Sequence, residues 1–212
     1  MAENSLREKV FAEIMENIRS GKIKENTIIT ENSICEETGI SRTPVREALL
    51  SLRAHGVLEK VPNRGYRVNP MGEKEKNDIY EVHAVLDGLA ARLATDKLTE
   101  EDYLKMSELI DLMDISIKYR NFKNYQAQQE AFHNVYIERS GNRPLKRELD
   151  NIKNSVPHYT YYSEDEDKLF RICGFMNDEH REILRLLKEK DADKVVQYLV
   201  DTHWSTKYED AI

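Results

Sequence analysis
The chain has 212 residues, 33% of them charged and 40% in the hydrophobic set, which suits a soluble globular protein with two modest cores and leaves no apolar run near the ~18–20 residues of a membrane span. Its two cysteines, Cys35 and Cys173, stand in unrelated contexts and exclude a disulfide framework or a cysteine zinc module; with a charged helical start in place of a leader peptide, a reducing cytoplasm is expected. The net charge of −7 divides unevenly: 11 Lys/Arg against 10 Asp/Glu over residues 1–70, and 21 against 29 over residues 71–212, so the acidity of the whole does not exclude nucleic acid as a partner of the first part.

A first helix is expected over 6–20, where Leu6, Val10, Ile14 and Ile18 recur every four residues, Phe11 and Met15 widen the stripe, and Gly21 ends it. A short helix follows over 31–38 with Thr30 as its cap, Ile34 and Cys35 inward and Gly39 closing it. The third helix is expected over 43–55, with Pro44 in its first turn and an apolar face of Val45, Ala48, Leu49 and Leu52. Leu50 falls off that face and is assigned to a contact with the second domain or a partner subunit. Residues 57–61 and 66–68 then flank Pro62-Asn63-Arg64-Gly65, a hairpin with turn chemistry. Helix, short helix, turn, helix and hairpin is the order of a winged helix-turn-helix, whose second paired helix enters the major groove.

The polar residues sit where such a module needs them. Arg42 and Thr43 open the third helix and Arg46 follows on a flank away from the apolar face. An arginine can hold guanine O6 and N7 with two donors, worth ~1–3 kcal/mol of discrimination. The helix start, with the hydroxyls of Ser41 and Thr43, suits phosphate oxygens. Asn63, Arg64 and Gly65 at the wing tip suit the minor groove or the DNA backbone.

Gly39-Ile40-Ser41-Arg42-Thr43-Pro44-Val45-Arg46-Glu47-Ala48-Leu49, followed by Leu52, Gly56-Val57-Leu58 and Arg64-Gly65-Tyr66-Arg67-Val68, closely resembles the GntR family of bacterial regulators. The resemblance covers nearly all of the first domain. It implies operator contacts from Arg42, Thr43, Arg46 and Gly65. One further position on the second helix, often arginine in that family, is Asn32 here.

The seam lies near Asn69-Pro70-Met71-Gly72, giving a winged domain over 1–70, a linker over 71–75 and a second domain over 76–212. Helical periodicity is expected there over 73–95, 99–118, 123–140, 144–155, 165–176, 177–189 and 192–207, and no strand pattern competes, so the fold class is mostly α, a winged helix-turn-helix before an all-α bundle. Four histidines fall on apolar stripes of different helices. His83 shares a face with Ile79, Leu86 and Ala90; His133 with Gln129, Tyr136 and Ile137; His180 precedes Ile183, Leu184 and Leu187; His203 follows Val196, Leu199 and Val200. Each inward imidazole needs a polar partner, and convergence on one cavity meets that need for all of them. Imidazoles also ligate zinc and nickel. A core histidine that merely hydrogen-bonds is the competing reading at each position.

Residues 76–205 resemble the FCD domain, the helical effector-binding domain of the FadR branch of the same family, with Phe132-His133, Glu179-His180 and His203 at its three histidine positions. The resemblance implies a divalent metal, zinc or nickel, on His133, His180 and His203, completed in other members by an acidic residue four positions before the first histidine. Gln129 stands there, a neutral candidate for a fourth ligand. His83 occupies a position where the family often has an arginine able to meet a carboxylate, so His83 either takes that role or adds a fourth nitrogen, and His83 and Gln129 are assigned to an effector. His158 and the tyrosines around it, 156–162, are read as a packed interhelix segment or a lid.

The expectation is therefore a transcription regulator, read as a repressor, that binds a palindromic operator in double-stranded DNA as a homodimer. Its helical domain senses a small organic acid, and no membrane is involved. Two other classes compete. Three histidines with an open metal position also describe a hydrolytic enzyme, with Glu179 or Glu130 as nearby bases. A metal-ion sensor would use the ion itself as signal.

Overall fold
A computed structural model describes residues 2–19, 21–24, 27–155 and 165–205. His158 and its neighbouring tyrosines lie outside the described residues. The chain divides into two compact units, one changing to the other between Glu73 and Lys74, with the residues from Asn151 at the end of the fourth helix of the second part grouped with the first.

The first unit is a winged helix-turn-helix. Helix α1 (Ala2–Arg19) packs on α3 through Val10, Ile14, Met15 and Ile18, all buried, whereas Leu6 at the start of the expected stripe is exposed. Helix α2 (Glu31–Thr38) begins with a capping box: the Thr30 hydroxyl accepts from the Ser33 N–H at 3.0 Å and the Ser33 hydroxyl accepts from the Thr30 N–H at 3.0 Å. It ends at Gly39, whose φ of 68° lets its N–H reach the Cys35 carbonyl at 2.9 Å. Helix α3 (Arg42–Ala54) starts one residue earlier than its periodicity suggests, yet Pro44 still lies in the first turn, where its missing N–H breaks no helical bond. Val45, Ala48, Leu49 and Leu52 are fully buried and fasten α3 to α1 and α2, while Leu50 is exposed.

Strands β2 (Leu58–Val61) and β3 (Gly65–Val68) form the expected hairpin, with Lys60 opposite Tyr66 and Val61 opposite Gly65. A short strand β1 (Ile28–Ile29) pairs on the other side of β3, giving the order β1-β3-β2. Two residues carry too little alternation to announce a strand, so β1 has no sequence signature. It explains Gly65, however. A Cβ built on Gly65 would lie 2.3 Å from the Ile29 carbonyl oxygen, and the residue adopts φ 126°. Only glycine accepts both the conformation and the approach of that strand.

The second unit is helical. Helices α4 (Glu73–Ala94), α5 (Glu100–Lys118), α6 (Phe122–Ser140), α7 (Arg143–Ser155), α8 (Glu166–Lys188) and α9 (Ala192–Tyr198) follow in order. Thr99 and Asp102 form the capping box of α5, and Asn121, Asp165 and Asp191 cap α6, α8 and α9 by accepting from the third residue beyond. Antiparallel α5 and α6 pack closely, α8 packs on α5, and α9 packs on α8. Met106, Met113, Tyr125, Phe132, Tyr136, Ile183, Leu187 and Leu199 are buried at the centre.

Two boundaries differ from the sequence expectation. The stretches read as helices over 165–176 and 177–189 are one continuous helix, α8. Gly174 and Asn177 suggest a break, but the buried Asn177 amide donates to the Ile110 carbonyl at 3.1 Å and to Asp114 at 2.7 Å. With both its amide N–H donors taken up by α5, it has no need to turn them on its own backbone. The last helix, whose expected final residues 206 and 207 lie outside the described residues, is not evenly α-helical either. After Tyr198 it widens into a π-helical turn, Leu199–His203, closed by the Trp204 N–H on the Leu199 carbonyl at 3.0 Å. The wider turn brings Leu199, His203 and the adjacent Trp204 all inward.

Candidate functional sites: an arginine-bearing helix and a carboxylate-backed histidine cluster
The start of α3 carries the arginines expected to face DNA, and α2 holds both. Arg42 donates to the Asn32 side-chain oxygen at 2.7 Å. Arg46 meets Glu31 with two bonds, Nε to Oε1 at 3.0 Å and Nη2 to Oε2 at 3.1 Å. The Arg46 hydrogen bond holds the Glu31 carboxyl below its ordinary range. Asn32, Ser41, Arg42, Thr43 and Arg46 are all exposed. Ser41, the residue before the helix, spends no side-chain hydrogen bond on capping it. Asn63, with φ 59°, and Arg64 are exposed at the hairpin tip, and Gly65 sits half-buried behind them.

In the helical unit, His133 of α6, His180 of α8 and His203 of the π turn converge, each offering a ring nitrogen within 4.8 Å of the others. All three are buried. The Nε2 atoms of His133 and His203 face each other at 3.2 Å. Behind them, each Nδ1 has an acidic partner. His203 Nδ1 lies 3.0 Å from Glu179 Oε2. His133 Nδ1 lies 2.5 Å from the Tyr136 hydroxyl, which donates to Asp87 Oδ2 at 2.7 Å, and 3.3 Å from that carboxylate oxygen directly. Carboxylate and phenol acceptors place the neutral ring's proton on Nδ1 and leave the lone pair on Nε2. The two facing nitrogens thus both present lone pairs. Among the described residues neither ring nitrogen of His180 has a hydrogen-bond partner.

Burial dominates the electrostatics. It pushes His180 well below the ordinary histidine range, helped by His203 and His133, and it lowers His203 despite the opposing Glu179. Burial also brings His83 down to about 3, against the pull of Asp87. Burial would raise the carboxyl of Asp87, but His133, His83 and the Tyr136 hydroxyl outweigh it and keep the group ionised. Among the described residues no Lys or Arg pairs with Asp87, and its Oδ1 is buried without a hydrogen bond.

The donor set fits a divalent metal. Two nitrogens on a tetrahedral zinc with bonds of ~2.0–2.1 Å lie about 3.3 Å apart, and an orphaned imidazole is the third donor. Buried negative charge close behind favours a cation. Gln129 is buried on α6 one turn before His133, and His83 is buried but stands outside the three-histidine group. His83 lies against Trp204 instead, ring centroids 4.1 Å apart.

Sequence patterns missed Asp87, Tyr136 and Trp204 as parts of this site. Trp204 packs on His133 and His203 and donates Nε1–H to Asp87 at 2.8 Å. One signal was available. The buried side of α4 runs Tyr80, His83, Ala84, Asp87, Ala91 and Ala94, and an aspartate in the middle of such a stripe needs a buried partner.

Comparison with known proteins agrees with both units. The FCD domain family matches residues 78–203 and the family of bacterial regulatory proteins named gntR matches residues 6–68. The gluconate operon transcriptional repressor of Bacillus subtilis (strain 168) is 28% identical over 198 residues, covering 90% of this chain and 79% of the relative. Its counterpart in Bacillus licheniformis is 26% identical over 197 residues, with the same coverage. Among solved structures, McbR/YncC of E. coli aligns with a TM-score of 0.80 over 97% of this chain and 96% of that one, at 20% identity. A putative GntR regulator from Rhodococcus sp. RHA1 aligns with a TM-score of 0.74 at 17% identity, covering 98% and 97%. At those identities the structures speak for the fold.

Proposed function
The chain belongs to the GntR family of bacterial regulators, with a GntR helix-turn-helix followed by an FCD domain; it is a DNA-binding transcriptional regulator and not an enzyme, and we propose that it is a repressor whose FCD domain senses a small organic acid at a metal held by His133, His180 and His203. The facing Nε2 atoms of His133 and His203 at 3.2 Å carry this reading. When bound, a zinc or nickel ion supplies a positive point to which an effector carboxylate attaches. Gln129 is the neutral neighbour, and His83 lies on the effector side. The names of the two Bacillus relatives support repression.

Residues 1–70 serve as the DNA-binding domain and 76–212 as the sensing domain, joined by 71–75. Arg42, Thr43 and Arg46 read the major groove, with Ser41 and Asn32 beside the backbone and Asn63, Arg64 and Gly65 on the wing. A homodimer on a palindromic operator gives the winged domains enough base pairs to read. The protein acts in the cytoplasm, and among the described residues no helix is long and apolar enough to cross a membrane. The effector must bind the DNA-competent and DNA-incompetent states with different affinity, or it shifts nothing.

The test uses the full chain purified without chelator. Elemental analysis is expected to find about one zinc or nickel per chain, and sedimentation about twice 24.8 kDa. Fluorescence anisotropy on a duplex chosen by in vitro selection is expected to show specific binding that a panel of small carboxylates alters only in the metal-loaded protein. No bound metal and no thermal shift on adding zinc or nickel would refute the metal. A response to the ion alone, with every acid inert, would instead make the protein a metal-ion sensor.

A further inference from the structure
We propose that Asp87 and Glu179 are positioning residues for the metal: Asp87 fixes His133 and Glu179 fixes His203, so that the acidic contribution of this site lies behind the histidines, where Gln129 supplies none in front. The inference rests on the metal reading above and adds to it two residues that do not touch the ion.

The geometry is that of ligands already aimed. An imidazole ligates through one nitrogen, and a hydrogen bond from the other sets its tautomer, its ring orientation and its basicity. Here the relay from His133 Nδ1 through the Tyr136 hydroxyl ends on Asp87 Oδ2, with distances of 2.5 and 2.7 Å. The second relay is direct, His203 Nδ1 to Glu179 Oε2 at 3.0 Å. Both leave Nε2 as the donor, and the two Nε2 atoms are those that meet at 3.2 Å. Without a cation or a proton between them, two lone pairs at that separation repel.

Asp87 is itself held. Trp204 Nε1 donates to the same Oδ2 at 2.8 Å, so the oxygen accepts from Tyr136 and Trp204 together and cannot rotate away without losing both. A fully buried carboxylate whose basic neighbours are all histidines is costly in an apolar core. A divalent ion on the far side of His133 offsets that cost through the ring. Among the described residues His180 has no such partner on either nitrogen, so it adapts to the metal while the other two rings define the place.

A residue acting only through core packing would change stability and leave affinity alone, so the test separates them. Cobalt(II) and then zinc are titrated into chelator-stripped full-length protein, reading the cobalt d–d absorption for geometry and competition with a zinc chelator for affinity. Asp87→Asn and Glu179→Gln are each expected to weaken zinc binding about 10–100-fold and to shift the cobalt bands. Tyr136→Phe is expected to weaken it less, because Asp87 lies close enough to meet His133 directly. Melting of each metal-free variant shows whether it folds; should Asp87→Asn fail to fold, Glu179→Gln and Tyr136→Phe carry the test. Unchanged affinity and unchanged bands in folded variants would overturn the positioning roles while leaving the metal site standing. Absence of any binding by the unmodified protein would overturn the metal reading itself, and this inference with it.

Discussion

Arg46 of α3 lies side-on against Glu31 of α2, with Nε on Oε1 at 3.0 Å and Nη2 on Oε2 at 3.1 Å. The pair uses one edge of the guanidinium, and the end, Nη1 with the outer hydrogen of Nη2, takes no part in it. That end is the pair of donors that guanine accepts through O6 and N7. An exposed ion pair contributes little to stability, but it limits where a long side chain can swing before DNA arrives.

Arg46→Ala is therefore expected to weaken operator binding by about 1–3 kcal/mol and to relax base preference at one position of each half-site. Glu31→Gln, which keeps the size and loses the charge, is expected to lower the ratio of specific to nonspecific affinity while raising nonspecific affinity slightly, since a negative charge leaves the DNA face. Anisotropy on selected and scrambled duplexes at several salt concentrations measures both. An unchanged ratio for Arg46→Ala would remove Arg46 from the reading surface.

Gly65→Ala is expected to destabilise the winged unit by about 2 kcal/mol or more, because alanine resists a positive φ and its Cβ meets the Ile29 carbonyl. Urea unfolding followed by circular dichroism reports the loss. Strand β1 would also have to retreat from β3, so protection of the Ile29 and Tyr66 amides from hydrogen exchange is expected to fall with it.

His83 ties stability to pH. Its folded-state value lies near 3, lowered by burial, against 6.5 when solvated. A depressed value means that the unfolded chain takes up the proton first. The stabilisation is complete above pH ~6.5 and is lost as pH falls toward 3, at about 1.4 kcal/mol per pH unit for one group. Asp87, His133 and His203 act on His83 electrostatically. Urea midpoints of metal-free protein between pH 7.5 and 4.5 are expected to fall, and the slope to flatten by about that amount in His83→Leu. An unaltered slope would show that His83 takes up its proton as readily in the folded protein as in the unfolded chain.

Trp204 is the single tryptophan of the chain, and it touches His83, His133, His203 and Asp87. Its fluorescence is expected to change when zinc or nickel reaches the cluster, with a titration endpoint matching elemental analysis. Trp204→Phe, which keeps an aromatic ring but loses the N–H, is expected to destabilise the metal-free protein by about 1–3 kcal/mol by leaving Asp87 less satisfied. A silent tryptophan on metal addition would place the ion elsewhere.

Local sequence determined much of this protein. The four-residue spacing of Val10, Ile14 and Ile18, the cap at Thr30, the glycine at 39 and the stripe of α3 each act over a few residues, and together they dictate a winged helix-turn-helix. The same local rules placed His133, His180 and His203 on inward faces, because a helix face is set by residues three and four apart. They missed β1, whose two residues gain their conformation only from the β3 backbone, and they split α8 at a point where the Asn177 amide donates to a different helix. They place Gly65 at the wing tip and are silent about the Ile29 carbonyl that lies against it.

What tertiary structure alone decided is which polar groups meet. His133 and His203 are separated by two further helices in the chain, and only folding brings their Nε2 atoms face to face. Asp87 gains its role from Tyr136 and Trp204, 49 and 117 residues away. Periodicity reports the direction in which a side chain points and is silent about what it will find there. A buried charge depends on its partners at 3 Å, and those partners come from distant parts of the sequence. The arginines of α3 were legible as an exposed set at the helix start; the hold of Glu31 on Arg46, across 15 residues, was decided by the packing of α2 against α3.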